Sequence, residues 1–165
     1  VSALCRASTS SGGVEAGLVA MTGSQSSATM ILAVATALAE APGLSAHRAT
    51  VIATAASAIG VPYRWGGNGP DGFDCSGLVV AAFRSVSVVL PRTAQSQHDA
   101  THSIETGPTP GDLVFFGPSH RDVSHVGIVL GRGLMIDAPH TGAFVRIESY
   151  AWPNLLDYRE LTPFA

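Results

Sequence analysis

Gly72-Phe73-Asp74-Cys75-Ser76-Gly77-Leu78-Val79-Val80 places a thiol between a glycine-rich loop and an apolar run. Asp74 has the side chain of a helix cap, so Cys75 and Ser76 fall in the first turn of the helix that follows. A helix start carries partial positive charge and unpaired N–H donors, and both favour a thiolate, the nucleophilic form of cysteine. The apolar side of this helix is Leu78, Val79, Ala82 and Phe83, and the spacing carries it to about Ser85. On the N-terminal side, the loop Val61–Gly72 holds four glycines and two prolines. Its embedded aromatics, Tyr63 and Trp65, mark a loop that packs on or recognises something.

Further upstream, Ser45 can cap a helix over about 46–59 whose stripe is Val51, Ile52, Ala55, Ala56 and Ile59. Ser26 or Ser27 can cap another over about 28–40, apolar nearly all round and ended by Pro42-Gly43. Its segment Met30–Ala39 also looks like the core of a secretion signal, but no Lys or Arg lies between Arg6 and Arg48, so a folded helix is the plainer reading. Such a helix must dock, either over the cleft or on the back of the core. Residues 1–27 are rich in Ser, Gly, Thr and Ala, with little periodicity.

Downstream, Leu90-Pro-Arg-Thr-Ala-Gln-Ser-Gln97 reads as a turn and a short helix, and Pro108-Thr-Pro-Gly111 breaks the chain again. The period then changes to that of strands: Asp112–Phe116, Ser124–Leu130, Leu134–Ala138 and Phe144–Glu148. Helices followed by an antiparallel meander give an α+β fold. The division expected is an N-terminal extension over 1–44 and one catalytic domain over 45–165.

Composition sets limits. The 165 residues are 46% hydrophobic and 13% charged with net charge −3, which supports a real core and gives no pointer to nucleic acid or an anionic membrane. No apolar run reaches the ~18 residues of a membrane span. Two cysteines, Cys5 and Cys75, give neither a disulfide framework nor a four-thiolate zinc site.

A nucleophilic cysteine needs a base, and the base an orienting group. Of six histidines, His125 opens an apolar strand and is held by a rigid element. His47, His98, His102 and His120 read as surface histidines. The orienting group depends on the turn at Gly131-Arg132-Gly133. A three-residue loop puts His125 opposite Pro139 and Asp137 one diagonal step away on the same face. A two-residue turn puts His140 opposite His125 instead. The two exclude each other unless there is a bulge, and chemistry favours the carboxylate. A zinc site from Cys75, His125 and Asp137 lacks the close ligand pairs usual in such sites and ranks below nucleophilic catalysis.

Tyr63-Arg-Trp-Gly-Gly67, Asp74-Cys-Ser-Gly77, Leu90-Pro-Arg-Thr93, Pro110-Gly-Asp-Leu113 and His125-Val-Gly-Ile128, in this order, resemble the NlpC/P60 family of cell-wall cysteine peptidases. The resemblance covers about residues 47–161. It implies a papain-like fold, with the nucleophile's helix on an antiparallel sheet. It also implies cleavage of bacterial peptidoglycan stem peptides between D-glutamate and a diamino acid such as diaminopimelate. The family's third catalytic position, twelve residues after the base, falls on Asp137. Tyr63 would donate near the oxyanion and Trp65 would line the site. Asp74 and Ser76 match positions that hold the substrate in some members. The resemblance further implies an extracytoplasmic monomer that acts on peptidoglycan without metal or cofactor.

Overall fold

The computed structural model describes residues 34–36, 39 and 43–161. The candidate cap at Ser26 or Ser27 and most of the helix expected over 28–40 lie outside them. Residues 34–36 and 39 are helical, and Val34 is buried in the same apolar cluster as Val51, Ile52, Leu78 and Phe83.

Beyond these, the described residues hold three helices, all ahead of the sheet in sequence: α1 (Ala46–Ser57), α2 (Cys75–Arg84) and α3 (Ala94–Asp99). Each starts at a capping residue. Ser45 accepts from the Arg48 N–H, Asp74 from the Gly77 N–H and Thr93 from the Ser96 N–H. The strands are β1 (His102–Ser103), β2 (Leu113–Phe116), β3 (His125–Gly131), β4 (Leu134–Asp137), β5 (Arg146–Ser149) and β6 (Leu155–Glu160). They form one antiparallel sheet in the order β1-β6-β2-β3-β4-β5. The four expected strands are present as the meander β2 to β5. The pair β1 and β6 was not anticipated. Two residues are too few to show a period, and Leu155-Leu-Asp-Tyr-Arg-Glu160 mixes charge into both faces.

Strand alternation divides the core in two. Leu113, Phe115, Val126, Ile128, Leu130 and Ile136 face α1 and α2. Val114, Phe116, Val129 and Met135 face the other way, under Tyr150, Trp152, Leu155 and Tyr158. Gly127 lies on this second face, where a Cβ would meet Met135 Sδ at 2.5 Å. Of the four histidines expected at the surface, His47, His102 and His120 are exposed, but His98 is buried at 4% exposure. It sits edge-on to Phe115, ring centroids 5.3 Å apart, because α3 folds its polar-looking sequence down onto the sheet.

One buried ion pair joins α1 to the sheet. Arg48 bonds Asp112 Oδ1 (2.5 Å) and the Pro110 carbonyl (3.2 Å), with both charged side chains under 10% exposed. Asp112 Oδ2 also accepts from the N–H and hydroxyl of Thr109, which closes the turn into β2. Removing one partner strands the other charge. Arg48→Ala is expected to lower unfolding free energy by about 3 kcal/mol in urea denaturation.

Candidate active site

Cys75 is the first residue of α2 and is half-buried. Its backbone N–H, like the others of that first turn, has no intrahelical acceptor. Asp74 fixes the approach to it. Oδ1 accepts from the Gly77 N–H (2.7 Å) and Oδ2 from the Gly66 N–H (2.9 Å), so one carboxylate ties the glycine-rich loop to the helix start. Arg92 lies across the same carboxylate, with Nη1 to Oδ1 at 2.9 Å and Nη2 to Oδ2 at 2.6 Å. Its Nη1 also donates to the Ser76 hydroxyl (2.9 Å) and its Nη2 to the Gly67 carbonyl (3.2 Å). Gly77 is closed in by that same Gly67 carbonyl oxygen, which a Cβ would strike.

Asp74 and Ser76 are therefore buried and mutually bonded beneath Cys75. Tyr63 is half-buried, and Trp65 stands 86% exposed on the same loop. Burial raises the Tyr63 phenol above its ordinary value, the negative charges of Cys75 and Asp74 add to this, and Arg92 opposes it. The hydroxyl thus stays a donor at neutral pH.

The base and its partner come from the β3–β4 hairpin. Ile128 pairs with Ile136 and Val129 with Met135, the register in which His125 faces position 139. At the tip, however, Gly131 pairs with Leu134, leaving Arg132 and Gly133 as a two-residue turn with both φ values positive (54° and 79°). The ladder shifts between Val129 and Gly131, so a bulge reconciles the two alternatives. Asp137 lands beside His125, and His140 is exposed, with its Nδ1 beside the Thr141 carbonyl.

His125 Nε2 lies 2.8 Å from Asp137 Oδ2, and the Cys75 thiol is near enough to the ring to act on its charge. With Nε2 committed to Asp137, Nδ1 is the ring nitrogen left for the thiol. Burial disfavours the imidazolium, but hydrogen bonds and charge from Asp137 and Cys75 outweigh it and raise the pKa to about 9. Trp152 stacks on the imidazole (5.2 Å, 29°) and Phe116 flanks it at 5.7 Å. Asp137 is fully buried, and its Oδ1 has no donor among the described residues. On the neighbouring strand, burial raises the Glu148 carboxyl, Arg146 pulls it down, and the nearby charge of Asp137 pushes it up.

The structure thus brings Cys75, His125 and Asp137 together, with the imidazole bonded to the carboxylate and within electrostatic reach of the thiol. Sequence reasoning assigned no role to Arg92, Trp152 or Glu148. The Leu90-Pro-Arg-Thr93 motif was the available signal for Arg92.

Residues 60–157, more than half of the chain, match the NlpC/P60 family. The chain belongs to the NlpC/P60 family. It is 48% identical over 97 residues to the bifunctional muramidase/DL-endopeptidase CwlT of Bacillus subtilis, covering 56% of this chain and 30% of that protein. Against the probable endopeptidase p60 of Listeria monocytogenes it is 43% identical over 108 residues, covering 64% and 22%. The chain spans less than a third of the length of these relatives. Among solved structures, the P60 domain of the M. avium subspecies paratuberculosis antigen MAP1204 superposes with TM-score 0.63 at 33% identity, covering 68% of this chain and 92% of that one. RipD of Mycobacterium tuberculosis, described as a non-catalytic NlpC/p60 protein adapted to peptidoglycan binding, gives TM-score 0.63 at 26% identity over 72% and 98%. The fold is the α+β, papain-like fold of NlpC/P60 domains. Among the described residues, no helix is long and apolar enough to cross a membrane.

His125 provides a direct check on the electrostatics. Its folded pKa lies above the ordinary 6.5, so its contribution to stability is complete below 6.5 and is lost as pH rises through about 9. NMR titration of the ring is expected to give a midpoint near 9, moving down in Asp137→Asn. Thermal unfolding should fall more steeply from pH 7 upward in the parent than in that variant. A parent midpoint at or below 6.5 would contradict the ion-pair description.

Proposed function

We propose that the chain hydrolyses peptidoglycan stem peptides at the γ-linked amide between D-glutamate and a diamino acid such as diaminopimelate, with Cys75 as nucleophile, His125 as base and Asp137 as its orienting group. The observation that carries this reading is the imidazole of His125 held 2.8 Å from a fully buried carboxylate and within electrostatic reach of a helix-start thiol. Membership of a family whose relatives are named endopeptidases supports it.

His125 takes the thiol proton and rests as imidazolium beside the thiolate, an arrangement consistent with its raised pKa. The thiolate attacks the amide carbonyl carbon. The Cys75 N–H at the helix start and the Tyr63 hydroxyl hold the developing oxyanion. His125 then protonates the leaving amine of the diamino acid, and water, deprotonated by His125, resolves the thioester. Asp137 holds the imidazole in one tautomer and orientation throughout. Trp65, exposed on the loop that carries Tyr63, offers a flat surface at the rim for the substrate. Asp74 and Ser76 would contribute by setting the floor of the site.

Residues 45–165 would be the catalytic unit and 1–44 an extension, with the protein acting outside the cytoplasm as a monomer. The likeness to RipD favours a second reading, a module that binds peptidoglycan without cleaving it.

Mass spectrometry of products released from purified peptidoglycan separates the two. The parent is expected to release fragments cut between D-glutamate and the diamino acid. Cys75→Ala and His125→Ala should each lose activity on the order of a thousandfold with circular dichroism retained, and Asp137→Asn should lose less. Cys75→Ala should also keep its melting temperature, whereas His125→Ala, which leaves the buried Asp137 unpaired, should melt lower. Binding with no product from the parent would favour the second reading. Undiminished cleavage by Cys75→Ala would remove the nucleophile assignment.

A further inference from the structure

A second group of ligand-type side chains lies outside the triad. His98 on α3, His120 in the β2–β3 connection and Asp157 on β6 bring their ligand atoms within 4.8 Å of one another. His98 Nε2 is 3.3 Å from His120 Nδ1 and 3.6 Å from Asp157 Oδ1, and His120 Nδ1 is 3.8 Å from Asp157 Oδ2. Around a tetrahedral zinc ion with bonds of about 2.0–2.2 Å, ligand atoms sit about 3.3–3.6 Å apart. Asp157 reaches His98 through Oδ1 and His120 through Oδ2; with one ligand atom per residue all separations stay within 4.8 Å. Closing the site on a zinc ion therefore takes a movement of about 1 Å, which the exposed His120 side chain can make.

The protonation pattern points the same way. His98 Nδ1 lies 3.2 Å from Asp99 Oδ1, so the Nδ1–H can donate there and leave the Nε2 lone pair turned inward. Gln95 Nε2 holds Asp99 Oδ1 (2.9 Å) and also donates to the His120 carbonyl (3.0 Å), fixing both the outer carboxylate and the loop. Asp157 is steadied through Oδ2 by Arg159 Nε (2.9 Å), while its Oδ1 is buried with no hydrogen-bond donor among the described residues. In the metal-free state a His120 Nδ1–H can satisfy His98 Nε2, but nothing then reaches Asp157 Oδ1. A cation with nitrogen and oxygen affinity satisfies all three at once.

We propose that His98, His120 and Asp157 form a binding site for a borderline divalent transition metal, zinc being the best fit, with the fourth position open to water on the exposed His120 side. Two imidazoles and one carboxylate suit zinc better than magnesium or calcium, which prefer oxygen. The ion would be a clamp, because it joins α3, β6 and the connection that ends at His125. The sequence alone gave no sign of it and led to the expectation of no metal, since the three ligands are 22 and 37 residues apart and His98 reads as a surface residue.

The test uses the full chain carrying Cys5→Ser and Cys75→Ala, which removes both thiols from competition. Zinc is titrated against a chromophoric chelator near pH 7.5. One equivalent is expected to bind at about 1 µM or tighter. His120→Ala and Asp157→Asn, added separately, are each expected to weaken it by about tenfold or more. His120 is exposed, so its removal leaves the fold in place, as circular dichroism should verify. The melting temperature should rise with zinc in the thiol-free parent and not in the His120→Ala form. Failure of the parent to bind zinc, or unchanged affinity in either variant, overturns the site. Hydrolytic activity does not enter this readout, so the result stands apart from the peptidase reading.

Discussion

A single carboxylate holds the loop, the helix start and the neighbouring segment in register. Asp74 caps α2 and receives the Gly66 N–H and both terminal nitrogens of Arg92. An acidic residue immediately before a thiol is electrostatically awkward, because its charge opposes the thiolate that the helix start favours. Arg92 answers that difficulty by neutralising Asp74 from the side while also gripping the Gly67 carbonyl and the Ser76 hydroxyl. Asp74 can thus act as a cap without acting as a repelling charge. The glycines of the loop follow from the same constraint, since Gly67 and Gly77 touch backbone to backbone with no space for a side chain.

The imidazole is constrained from a different direction. His125 lies on the sheet face that carries Phe116, Val129 and Met135, with Trp152 against its ring. Aromatic faces suit a cation, and the fully buried Asp137 carboxylate on the next strand supplies the opposite charge. Relatives of this fold include a protein described as non-catalytic, so the fold by itself does not make an enzyme. In this chain the thiol, the imidazole and the buried carboxylate lie together, and their arrangement, not the fold, carries the functional reading.

Much of this was readable before any coordinates. The Asp74 cap, the start of α2 at Cys75, the short helix after Thr93 and the four meander strands follow from capping chemistry and from the change of period near Pro110. The hairpin was only half readable. Gly131-Arg132-Gly133 allows either a three-residue loop or a two-residue turn, and no local rule states that a bulge at Leu130 will combine the turn of one with the register of the other. Long-range placement was harder still. Nothing local marks His98 for burial in α3, Arg92 for Asp74 or Trp152 for His125, because each depends on elements far apart in sequence coming to the same point. Two-residue β1 and the charged β6 give no pattern of their own and exist through their neighbours.

The position of β6 has a temporal meaning. Among the described residues it is the last strand in sequence, yet it sits second in the sheet, between β1 and β2. During synthesis Cys75, His125 and Asp137 all emerge before this second partner of β2. Until then one side of β2 remains an open edge, and Trp152, which immediately precedes β6, is not yet stacked on the imidazole. A chain cut before Leu155 would therefore carry Cys75, His125 and Asp137 without the strand that braces β2. The topology thus makes the alignment of the site depend on a strand that follows all of its residues in sequence.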